Sequence, residues 1–193
     1  MEAIEAIMTR RSNRRFTNEM PGKQEIGKII ECGRQAPCGS NSQSAHFIVI
    51  SNQKVLKDLA EIARDEFSKM EVNEDTYVSL RNSILASKRG DYVFHYGAPL
   101  LIVTANKKGY GNAMADSACA LENMMIAANA LDLASCYINQ LHWLSDNERI
   151  VSYMEAIGLE KDEYITGALA LGKAETLLQK EKQITGNPVT WVG

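Results

Sequence analysis

Four guanidinium groups and a hydroxyl fall within seven residues of one another in Arg10-Arg11-Ser12-Asn13-Arg14-Arg15-Phe16, in a chain whose net charge is -3. A planar, permanently charged fork suits a phosphate monoester better than a lysine point charge does. Further on, Ala36-Pro37-Cys38-Gly39-Ser40-Asn41-Ser42-Gln43 offers a bend lined with small hydrogen-bonding groups. The pair reads as a phosphate clamp beside a polar platform, so a bound nucleotide is the first hypothesis. Short basic runs are also common as solvated surface and as nucleic-acid or membrane patches. Here an apolar helical pattern (Ala3, Ile4, Ile7, Met8) leads into the arginines, and no second basic block follows. A nucleic-acid binder spreads positive charge over a face, whereas one local focus suits one small anion.

The elements that must hold these groups belong to an ordinary globular chain. With 193 residues, 45% hydrophobic and 23% charged, a single domain over 1–193 is expected. No apolar run reaches the roughly 18 residues of a membrane span. The start, Met-Glu-Ala-Ile-Glu, lacks the features of a signal peptide, so a cytoplasmic protein is expected. Cys32, Cys38, Cys119 and Cys136 are scattered, and His46, His95 and His142 show no ligand spacing with them. Neither a metal site nor a disulfide framework is indicated.

Periodicity places a helix on Ile26, Ile29, Ile30 and Gly33, ending near Ala36-Pro37, and a strand over 46–51. Val55 to Phe67 and Tyr77 to Leu85 mark two amphipathic helices around a polar loop at 71–75. The segment 99–105 is apolar on both faces, as a central strand covered by helices requires. The longest helical pattern, 112–133, is rich in small residues that admit a close neighbour. A third strand is expected at 134–138 and a fourth at 164–171, with a helix between them opened by a Ser145 to Glu148 capping box and stopped at Gly158. Helices with four interspersed strands give an α+β class or a three-layer mixture. The tail 179–193 carries Ile184, Val189, Trp191 and Val192 without an obvious place in the domain's own sheet, so packing on a partner subunit is expected.

Gly167-Ala-Leu-Ala-Leu-Gly172-Lys173-Ala174 imitates a phosphate-binding loop. Position 174 offers no hydroxyl for Mg²⁺, and the four intervening residues are an apolar strand. No Gly-x-Gly-x-x-Gly follows the first strand, which removes a Rossmann site.

Taken in order, residues 10–16, residues 36–43, Glu122-Asn123 in the long helix and the apolar strand ending in Leu171-Gly172 resemble the FMN-dependent nitroreductase family. The resemblance implies an α+β fold with a central mixed β-sheet flanked by helices, in an intertwined homodimer whose tail lies on the partner. It also implies FMN as cofactor, NADH or NADPH as co-substrate, and ping-pong hydride transfer to a small electrophilic acceptor. By the resemblance, Arg10, Arg11, Ser12 and Arg14 hold the flavin phosphate, ribityl chain and pyrimidine edge. Pro37, Cys38, Gly39, Ser40, Asn41 and Gln43 approach the ring from the other subunit. Lys180 and Lys182 complete the phosphate clamp, and Asn139 and Gln140 occupy the segment whose backbone N–H faces flavin N5. No side-chain nucleophile or acid–base pair is expected, because the cofactor carries the chemistry. Arg14 would stabilise negative charge on the reduced ring.

The chain departs from the family pattern at Cys38 and Ser44-Ala45, which leave a smaller and less rigid wall beside the flavin, at Asp132 and Ala134, which replace a glycine pair, and at Gln140, which replaces a glycine near flavin N5. Cys38 reads as a small loop residue, with a redox thiol as the alternative. Lys88-Arg89-Gly90 could supply another basic group, and residues 71–95 would shape the acceptor pocket. Two other functions fit the same residues: a same-fold FMN enzyme running dehalogenation, ring dehydrogenation or enoate reduction, and a flavin-binding sensor or storage protein without turnover.

Overall fold

The computed structural model describes residues 1–176 and 182–193. Four strands, β1 (His46–Ile50), β2 (Leu100–Lys107), β3 (Ala134–Ile138) and β4 (Glu163–Gly172), form one sheet in the order β1-β2-β4-β3. All three pairings are antiparallel, where a mixed sheet was expected. Parallel pairing among the described residues is confined to a single bridge, Ser12 to Ser135. The chain adds each strand beside a neighbour running the opposite way, with helical connections passing over the faces.

The two central strands, β2 and β4, are buried nearly end to end. Their alternation sends side chains to both faces. Leu101, Val103, Ala105, Ala168 and Ala170 meet α3 (Gln53–Ser68), α4 (Val78–Arg89), α6 (Gln140–Trp143) and α7 (Glu148–Glu155). Leu100, Ile102, Leu169 and Leu171 meet α2 (Lys23–Arg34) and α5 (Ala113–Ala130). The false phosphate loop is therefore the buried C-terminal half of β4, residues 167–172, with Lys173 and Ala174 just beyond it. Close approach of α2 to α5 depends on Gly33, where a Cβ would stand 2.8 Å from Met124 Cγ.

Helix α7 begins two residues later than the capping box predicts. The cap is Asn147, whose Oδ1 accepts from the N–H groups of Arg149 and Ile150. Helix α1 (Ala3–Thr9) is where its pattern predicts, and Asn129 Nδ2 ties it to α5 by donating to Ala6 O and Thr9 Oγ1, each at 2.9 Å. Its apolar face is not buried: Ile4, Ile7 and Met8 are 73%, 49% and 66% exposed.

Glu66 joins α3 to α7. It accepts from Lys69 Nζ at 2.6 Å, Arg149 Nη1 at 2.5 Å and Asn147 Nδ2 at 3.0 Å. These hydrogen bonds, that of Lys69 foremost, hold its pKa down at about 2 against an ordinary 4.5, although burial opposes them. A carboxylate with a depressed folded pKa stabilises the fold above its unfolded pKa and loses that contribution as the pH falls through the folded value. Acid unfolding should therefore show a limb between pH 4.5 and about 2 that Glu66→Gln flattens. An unchanged acid limb in the variant, followed by circular dichroism, would contradict this role.

Candidate functional site

The arginine run is an extended segment pinned to the sheet. Asn13 N–H donates to Ser135 O at 2.9 Å, and Phe16 bridges Ala174. Asn13, which sequence reasoning passed over, is buried and fixes the run: its Oδ1 accepts from Arg15 N–H and its Nδ2 donates to Thr176 O. Arg10 closes α1 with its Nη1 buried and without a hydrogen-bond partner, while its Nε lies 3.6 Å from Glu122 Oε1. A buried guanidinium nitrogen left unpaired is costly, so its surroundings suit an anionic oxygen. Arg11 instead turns back on the chain and donates from Nη1 to Met8 O and Arg10 O.

Arg10, Ser12 and Arg14 converge on Cys136 of β3. Burial pushes the Cys136 thiol pKa up, against the charges of Arg14 and Arg10 and a hydrogen bond with Ser12. Arg14 lies over the ring of Tyr96, 5.8 Å from its centroid. Burial lowers the Arg14 pKa, but a hydrogen bond with the Tyr96 side chain and the charges of Cys136 and Tyr96 outweigh it, and the net shift is upward. At the far end of β3, Asn139 caps α6 and Gln140 is buried, with Nε2 donating to Tyr92 OH at 2.9 Å. Asn139 Oδ1 and Gln140 Oε1 are buried acceptors without donors.

The other expected half is built at the N-terminal end of α5. Gly39 N–H donates to both Asp116 oxygens, at 3.1 and 3.2 Å, and the Tyr110 hydroxyl reaches Asp116 Oδ2 at 2.8 Å. Only glycine fits position 39, where a Cβ would stand 2.2 Å from Asn112 Nδ2. Ser40, Asn41 and Gln43 have φ of 53°, 54° and 48°. Such left-handed backbone persists where the surroundings fix it, often at ligand sites. Cys38 Sγ accepts from Gln43 N–H, a loop-closing contact. Pro37, Cys38, Asn41, Gln43 and Asp116 line a cavity of about 340 Å³. Asp116 and Tyr110 carry no local sequence signal for this task, because the loop residue they both hold, Gly39, lies more than 70 positions away in the chain.

Among the described residues no hydrogen bond or ion pair joins these two halves within one chain. The arginines sit on β3 and the loop leads into β1, at opposite edges of the sheet. Three inter-strand steps of about 4.8 Å separate those edges by roughly 14 Å. Along α5, Asp116 beside the loop and Glu122 beside Arg10 are roughly 9 Å apart at 1.5 Å per residue. Lys180 lies outside the described residues. Lys182 is exposed in the tail, and no described contact brings it to the arginines.

The family model described as "Nitroreductase family" matches residues 7–173, which include the arginine run, the loop and the end of β3. The chain belongs to the nitroreductase family. The fold agrees with that of an FMN-bound nitroreductase from Bacteroides fragilis, which is 33% identical with a TM-score of 0.88 over 100% of both chains. A second FMN-bound nitroreductase, from Desulfitobacterium hafniense, is 25% identical with a TM-score of 0.84, again over 100% of both. A relative from Archaeoglobus fulgidus named for NADH dehydrogenase and NAD(P)H nitroreductase activity is 25% identical over 89% of this chain and 84% of its own length. The family match ends before Lys180 and Lys182, so neither lysine is covered by it. Among the described residues no helix is long and apolar enough to cross a membrane.

Proposed function

We propose that this protein is an FMN-dependent NAD(P)H oxidoreductase acting as a homodimer, with each flavin site assembled from both copies and with nitroaromatic, quinone or similar electrophiles as acceptors. The carrying observation is the pair of incomplete halves: a buried, unpartnered Arg10 Nη1 beside Arg14 on one edge, and a strained, rigidly held loop on the other. The exposed apolar face of α1 and the exposed tail supply the surface that a second copy would cover.

FMN, when bound, supplies a ring that accepts hydride from the nicotinamide and passes it to the acceptor. Arg10 binds phosphate, and Ser12 adds a hydroxyl beside it. Arg14 places positive charge where the reduced ring is anionic, which favours reduction electrostatically. The residue 37–43 loop of the partner would cover the ring and narrow the space left for an acceptor. Gln140, held by Tyr92, fixes the start of α6 against the site.

The purified protein should be yellow and should bleach when mixed anaerobically with NADH or NADPH in a stopped-flow instrument. A yellow protein that neither nucleotide bleaches would contradict turnover and leave a flavin-binding role. Arg10→Ala is expected to weaken FMN by about 1.5–3 kcal/mol, the worth of one charge-assisted contact. Riboflavin, which has no phosphate, should bind the variant almost as it binds wild type. Equal losses for the two ligands by calorimetry would place Arg10 away from the phosphate.

A further inference from the structure

We infer that Tyr96 is a positioning residue that sets the reduction potential of the bound flavin by holding Arg14 in place without neutralising it. The inference rests on the reading of Arg14 as the charge beside the flavin ring. Its own basis is the backbone and the ring contact. Tyr96 has a φ of 56°, a left-handed conformation that is unusual for a bulky side chain, and Gly97 follows at 71°.

The core imposes that conformation. Phe94, His95 and Ala98 are buried, with the Phe94 and His95 rings in edge contact at 5.4 Å. Two overlapping turns bracket the residue, Tyr96 N–H to Val93 O and Ala98 N–H to His95 O, both at 3.0 Å. Asparagine or glycine would take this backbone with less strain. The tyrosine is therefore explained by its ring, which lies under the Arg14 guanidinium.

The chemistry of the contact is specific. Among the described residues no carboxylate pairs with Arg14; the groups facing it are the Tyr96 side chain and the Cys136 thiol. An aromatic face holds a cation through its quadrupole and leaves the net charge intact. A carboxylate at the same place would orient Arg14 equally well and cancel its field. Tyr96 thus provides orientation while leaving the full positive charge available to the anionic, reduced ring.

The test is a double-mutant cycle read on the midpoint potential of the FMN-loaded protein, with FMN affinity measured alongside. Arg14→Gln should lower the relative affinity for reduced over oxidised flavin about tenfold, equivalent to about 30 mV for a two-electron couple. Tyr96→Asn, which suits the left-handed backbone and lacks the ring, should lower that ratio at least threefold in the wild-type background and add nothing to Arg14→Gln. Tyr96→Phe, which keeps the ring, should retain most of the wild-type potential and keeps the test open if the asparagine variant does not fold. A potential unmoved by Tyr96→Asn while Arg14→Gln moves it would overturn the inference and leave the Arg14 reading intact. Equal shifts from Tyr96→Asn in both backgrounds would also overturn it, since Tyr96 would then act independently of Arg14. No shift from Arg14→Gln itself would remove the Arg14 reading and the inference with it.

Discussion

Truncation after Leu178 is expected to lose the dimer and the bound flavin together. Of the segment it removes, the described residues 182–193 carry four uncovered apolar side chains: Trp191 and Val192 are 91% and 92% exposed, and Ile184 and Val189 are exposed as well. Burying side chains of this size on a partner contributes about 1.5–3 kcal/mol each. Association entropy offsets part of the sum. A net loss of about 3 kcal/mol would still raise the dimer dissociation constant roughly 100-fold. Because the arginine edge and the 37–43 loop are on opposite sides of one chain, flavin should leave as the dimer does. Sedimentation combined with the flavin-to-protein absorbance ratio checks both at once. A truncated protein that stays dimeric and yellow would show that the tail serves neither purpose.

The sheet was readable because its central strands are continuous apolar runs, and burial on both faces leaves no other use for segments such as 99–105. The boundary of α7 was not, because Ser145 and Asn147 are both good caps. Two successive turns, Ser145 N–H to His142 O and Asn147 N–H to Leu144 O, carry the chain past Ser145, and Asn147 is held by donating to Glu66 of α3. The pattern of α1 correctly gave a helix but not what covers Ile4, Ile7 and Met8, since periodicity reports that a face is apolar and not whose surface meets it.

The site was legible to the same extent. Arg10, Ser12 and Arg14 declared themselves by type and spacing, and the structure gathers them around Cys136. Tyr96 and Asp116 were invisible because each acts on a group far from it in sequence, Arg14 and Gly39 respectively. The left-handed run at Ser40, Asn41 and Gln43 has a partial signal in Asn41 alone, whose residue type tolerates that backbone better than most.

The claim that each flavin site is shared between two copies is tested most directly by subunit complementation. One variant, Arg10→Ala with Arg14→Gln, disables the arginine edge; the other, Gly39→Val, displaces the loop by forcing a side chain into the space held by Asn112 and Tyr110. Each alone should retain little FMN. Co-expressed with different tags and purified as the heterodimer, the pair contains one site built from two intact halves and one built from two damaged halves. About one flavin per heterodimer is expected, as a shared site in a two-fold dimer requires. A heterodimer as colourless as its parents would contradict it, because a site lying within one chain would be damaged in both subunits.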